Sequence, residues 1–134
     1  MSAPFTLSAN ISMMFAEYPF LDRIDAAARA GFPAVEWQFA YGFPARDIAA
    51  RLKAAGVVCN HVNTPRGDEG PAQMGFAALP GRQAEFRANL DRALEHAVAV
   101  GARTIHCMCG APPADVREAA RETFLENMAH RSEE

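Results

Sequence analysis

Three times the chain passes from a helix-like tail through a glycine into a short strand-like run: "ARAGFPAVEWQF" from Ala28, "KAAGVVCNHVN" from Lys53 and "AVGARTIHCMC" from Ala99. Before the first two glycines, apolar residues recur at helical spacing, as in Leu21, Ile24 and Ala28, or Ile48 and Leu52. Pro19 and Pro44 stand where the start of a helix tolerates proline, and Gly31 and Gly56 where a helix commonly stops. A longer helix is predicted near 83–100, with Phe86, Leu90, Leu94, Ala97 and Val98 on one face. A fourth follows "PPADV", with Val116, Ala120, Phe124 and Met128 in its stripe. Strands are predicted near 6–11, 33–39, 57–63 and 103–109. Strands alternating with helices of this length argue for βαβ units and a parallel sheet, in one domain spanning 1–134.

The strands carry polar side chains on one side. Ser8, Asn10 and Ser12 alternate with Leu7, Ala9 and Ile11, and Glu36 and Gln38 with Val35, Trp37 and Phe39. In the third strand Cys59, His61 and Asn63 oppose Val58 and Val62, although Asn60 interrupts the apolar side. In the fourth, Thr104, His106 and Met108 oppose Ile105 and Cys107. A doubly wound sheet has helices on both faces and reads as apolar throughout. A polar-lined face suits the inside of a barrel, where strand ends converge on a site. A full (β/α)8 barrel needs about 250 residues, and this chain supplies four βα units in 134. The fold class expected is α/β, the N-terminal half of a TIM barrel.

Composition narrows the function classes. A formal charge of −3 gives no reason to expect nucleic acid or an acidic membrane surface as partner. Nothing approaches the roughly 18 continuous apolar residues of a membrane span, and "MSAPFTLSAN" lacks the features of a signal peptide. A cytoplasmic location is the expectation. The three cysteines, Cys59, Cys107 and Cys109, are expected as reduced thiols. In "HCMC", Cys107 and Cys109 share one face of a strand while His106 points to the other, which argues against a zinc site.

The stretches "ANISMMFAEYPFLDRIDAAARAGFPAVEWQFAYGFP", "VNTPRGD", "GFAALPGRQAEF" and "HCMCG" resemble the N-terminal half of the hydroxypyruvate isomerase family. That family includes the 2-oxo-tetronate isomerases and belongs to the xylose-isomerase-like barrels. The resemblance covers residues 5–128, and "NISMMF" with "ALPGR" carries most of its specificity. It implies an isomerase that interconverts hydroxypyruvate and tartronate semialdehyde, or a comparable 2-oxo acid pair, through an enediol. Such chemistry uses two carboxylates and gains from a divalent cation, Mg or Mn, on the substrate oxygens. The resemblance places those glutamates and metal-binding carboxylates on strands of the second half. No catalytic residue and no metal ligand are therefore assigned here. The chain alone is expected to bind no metal and to be inactive.

What remains are substrate-binding candidates: Asn10, Glu36, His61, Asn63, Arg66 and His106. The Asn10 amide either meets substrate oxygens or satisfies loop backbone. Glu36, the one carboxylate inside a predicted strand, either lines the pocket or pairs with Arg46 or Arg66. His61 and His106, on the same side as Glu36, either pack or join it as metal ligands. The run from Thr64 to Arg82 is long for a connection and sits where barrels place their sites. In it Arg66 could grip a substrate carboxylate, oriented by Asp68, or could simply be solvated. Met13, Met14 and Phe15 read as a lid or as packing. Two further readings stand beside the isomerase: a non-catalytic half-barrel serving as a binding or assembly module, with a homodimer through open sheet edges as its form, and another activity of the superfamily, such as a sugar epimerase or a metal-dependent nuclease. The charge balance disfavours the nuclease.

Overall fold

The computed structural model describes residues 5–132. Four strands, β1 (Ser8–Asn10), β2 (Ala34–Trp37), β3 (Val58–Asn63) and β4 (Thr104–His106), alternate with four helices, α1 (Phe20–Arg29), α2 (Ala45–Ala55), α3 (Gln83–Val100) and α4 (Arg117–Ser132). All neighbouring strands pair in parallel, in the order β1-β2-β3-β4. The four parallel βα units expected from the glycine repeats are present. Gly56 shows why the repeat needs glycine: it closes α2 at φ 70°, in the left-handed region.

The chain forms two compact units. The first comprises residues up to Asn63 together with Leu94–His106. Its core is Ala9, Val35, Trp37, Cys59 and Val62 from the strands and Ile11 just after β1, packed against Ile24, Ala27, Ile48 and Leu52 from α1 and α2, and Ala97 and Val100 from α3. Arg51 of α2 reaches both Asp22, at 2.8 Å, and Asp25 on α1.

The second unit comprises Thr64–Ala93 and the residues after His106. There Ala72, Phe76, Ala77, Leu79, Phe86 and Leu90 form a core, with Cys107, Phe124 and Met128 against it. The long connection after β3 carries a short 3-10 turn, Gly70–Met74, and is tied to the segment after β4. Phe76 and Ala77 donate their amides to the Met108 carbonyl at 3.1 and 3.0 Å, Ala78 to Cys109 at 2.7 Å, and Gly110 returns one to Met74 at 2.7 Å. Asn127 of α4 is buried and donates Nδ2 to the Ala77 carbonyl at 2.9 Å.

Several expectations need correction. Cys59 lies in the apolar core, not on the polar face. The register between β2 and β3 slips, with Val35 opposite Cys59 but Glu36 opposite His61. Asn60 is the extra residue of a bulge, so strict alternation fails there. Met108, placed with His106 on the polar face by alternation, is buried, because β4 ends at His106 and the next residues bond to the connection instead. Leu7 lies outside β1 and is exposed. On α3 the buried track is Phe86, Leu90, Ala93, Ala97 and Val100, while Leu94 and Val98 face solvent. A period of 3.6 permits either track, and small alanines allow close packing. In the β1–α1 loop Phe15 packs edge-on against Phe32, whereas Met13 and Met14 are exposed.

Candidate functional site

The parallel registers align one polar residue from each strand of the first unit. Asn10 stands opposite Glu36, Glu36 opposite His61, and His61 opposite Thr104. Two positions on, Asn63 stands opposite His106. The bulge at Asn60 is what brings His61 into this row. Without the extra residue, the side chain facing Glu36 would be that of Asn60, by strand register. Asn10, Asn63 and His106 are each the last residue of their strand, the end at which barrels of this kind carry their sites.

Each residue of the row has a definable state. Asn10 accepts the Ser12 amide on Oδ1 at 3.1 Å, which leaves its Nδ2 as a donor. The Ser12 hydroxyl accepts the Gln38 amide at 2.8 Å and so joins the ends of β1 and β2. Glu36 is half-buried. It does not pair with Arg46, whose guanidinium lies 3.6 Å from Asp47 at the surface. His61 Nδ1 is 2.9 Å from the Thr104 hydroxyl, which also donates to the Asn60 carbonyl at 3.1 Å. The rings of His61 and His106 stack, with centroids 6.1 Å apart and planes at 25°. Asn63 is buried, and its carbonyl accepts the Tyr41 hydroxyl. Thr104 was not among the residues singled out from sequence, though its place two residues before His106 on the same face pointed to it.

Behind this face the Cys59 thiol is pushed from 9.0 up to about 12, first by burial and further by the charge of Glu36, against a lowering hydrogen bond with the His61 backbone. It is a packing group, not a nucleophile.

Arg66 belongs to the second unit. There it lines a cavity of about 460 Å³ with Asp68, Glu69, Phe76, Arg82 and Glu85. Arg82 bonds Glu85 twice at 2.6 Å, and its guanidinium lies 4.7 Å from the Phe76 ring centroid. That hydrogen bonding holds the Glu85 carboxyl below its usual range.

Among the described residues no three His, Cys, Asp or Glu side chains converge to hold a metal ion. Glu36, His61 and His106 share a face without forming such a cluster. The described residues therefore do not assemble a set of ligands for a divalent metal of their own.

A family profile described as Xylose isomerase-like TIM barrel matches residues 24–132. The chain belongs to that family. Among curated relatives it is 48% identical over 123 residues to a 2-oxo-tetronate isomerase of Cupriavidus necator, covering 91% of this chain and 47% of that protein. It is 36% identical over 124 residues to the hydroxypyruvate isomerase of Escherichia coli, covering 92% and 48%. A crystal structure from Brucella melitensis, described as an AP endonuclease of family 2, superimposes with a TM-score of 0.86 at 44% identity, covering 92% of this chain and 48% of that one. The resemblance to hydroxypyruvate and 2-oxo-tetronate isomerases read from "NISMMF" and "ALPGR" holds, as does the half-barrel reading. The chain spans about half the length of the curated relatives it matches.

Proposed function

We propose that the chain supplies one wall of the pocket of an isomerase acting on hydroxypyruvate or a related 2-oxo acid such as a 2-oxo-tetronate. The observation that carries this reading is the row Asn10–Glu36–His61–Thr104 across four parallel strands, with Asn63 and His106 beyond it at strand ends, in a chain whose relatives are isomerases of such acids. The row offers an amide donor, a carboxylate, an imidazole and a hydroxyl. That set suits the alternating carbonyl and hydroxyl oxygens of a short sugar acid. The proton transfer itself needs a pair of acid/base groups, which the resemblance places on the strands that follow in full-length relatives. No step is assigned to a metal. No helix among the described residues is long and apolar enough to cross a membrane, and the cytoplasm is the compartment we propose.

The test is complementation. The 134-residue chain alone is expected to show no turnover of hydroxypyruvate in D2O monitored by NMR, since each missing general acid or base costs about 10²–10⁴-fold. Co-expressed with the four C-terminal βα units of the Cupriavidus relative, it should yield turnover of hydroxypyruvate or of a 2-oxo-tetronate. A folded complex inert towards both acids would refute the reading.

A further inference from the structure

The hydroxyl of Thr104 has one proton and two hydrogen-bond contacts, to the Asn60 carbonyl and to His61 Nδ1. Thr104 Oγ1 lies 3.1 Å from the Asn60 carbonyl, which can only accept. Both contacts are satisfied together only when the proton points to Asn60 and the hydroxyl accepts at the 2.9 Å contact with His61. His61 Nδ1 is then the donor, so the neutral imidazole carries its hydrogen on Nδ1 and a lone pair on Nε2. Among the described residues Nε2 has no hydrogen-bond partner, and the half-buried ring faces the side of the sheet that carries Glu36 and His106. The ring cannot swing freely, since Thr104 holds one edge and His106 stacks on its face. The Asn60 bulge thus does two things: it aims His61 at the polar row, and it presents the carbonyl that orients the Thr104 proton.

We propose that His61 is a substrate-contacting acceptor, locked as the Nδ1–H tautomer by the positioning residue Thr104, and that Nε2 accepts a hydrogen bond from a hydroxyl of the bound hydroxy acid. This rests on the isomerase reading for its ligand class but not for its tautomer. A row holding the Glu36 carboxylate and an Nε2 lone pair accepts hydroxyl protons, whereas Asn10 Nδ2 donates. Asn10 on one side and the Glu36–His61 pair on the other therefore distinguish a carbonyl oxygen from a hydroxyl on neighbouring carbons. A hydroxy-oxo acid must be told apart in that way.

Two-bond ¹H–¹⁵N spectra of the histidine-labelled chain report the tautomer directly, with His61→Gln used to assign the signal. At a pH where His61 is neutral, the native chain and Thr104→Ser should show Nδ1–H, and Thr104→Val should lose that preference. Adding hydroxypyruvate should then shift the Nε2 resonance in the native chain and less in Thr104→Val. An Nε2–H signal in the native chain, or an unchanged tautomer in Thr104→Val, overturns the lock. A locked His61 whose Nε2 ignores hydroxypyruvate overturns the contact. If the lock and the shift both appear while the complemented barrel is inert, the isomerase reading fails and this one stands.

Discussion

Gly75 lies so close to Met108 that a Cβ placed on it would stand 2.3 Å from the Met108 carbonyl oxygen and 2.3 Å from the Met108 Cβ. Its φ of 98° is also one that side chains rarely adopt. Both facts follow from the connection after β3 crossing the backbone of the segment after β4, where the Phe76 and Ala77 amides bond the Met108 carbonyl.

Gly75→Ala should therefore destabilise the chain by more than the roughly 1–3 kcal/mol of a strained backbone site alone. Urea denaturation checks this. A midpoint within error of the native one would mean that the crossing is looser than described.

Cys59 should be inert to thiol reagents at neutral pH while Cys109, which is exposed, reacts. A thiol raised from 9.0 to about 12 is protonated in the folded chain, and the thiolate is the nucleophile. The same shift has a pH consequence. Below about 9 the thiol is neutral in both folded and unfolded chains, and its contribution is fully present. As pH climbs towards about 12 only the unfolded chain ionises, so stability falls over that window. Alkaline denaturation of Cys59→Ala should be correspondingly flatter, and equal slopes would count against the burial account.

Arg23 donates to three backbone carbonyls of the β1–α1 loop, those of Ile11 and Tyr18 at 2.9 Å and of Ala16 at 3.4 Å. Arg23→Met keeps the aliphatic stem and removes the donors. It should cost about 1–2 kcal/mol, since two of the three bonds are exposed. Amide exchange of residues 12–18 should accelerate more than that of β2. Uniform acceleration through the first unit would indicate a general loss of stability instead.

β1 and β4 are the edges of the sheet, and among the described residues each pairs with another strand on one side only. Unpaired edges invite further strands. We propose that the 134-residue chain self-associates, as a two-fold dimer or as heterogeneous aggregates. Light scattering coupled to size-exclusion chromatography decides this, and a monodisperse monomer with a cooperative melt removes the edge argument.

The glycine-punctuated repeats determined the element order and the parallel pairing by themselves, because helix period, helix stop and strand run are local properties of the chain. Family membership was legible in the same way, through "NISMMF" and "ALPGR", as was the polar face that holds Asn10, Glu36, His61 and His106. What neighbouring strands decide was not legible. The bulge at Asn60 is a mismatch between β2 and β3, and no alternation within β3 alone could place Cys59 in the core and His61 opposite Glu36. Thr104 acquires its meaning only when β4 pairs with β3 and sets its hydroxyl between His61 and Asn60. The burial of Met108 depends on a connection many residues away folding back to bond it. Periodicity is written along one strand. Register and hydrogen-bond direction arise between two, and only the tertiary structure supplies them.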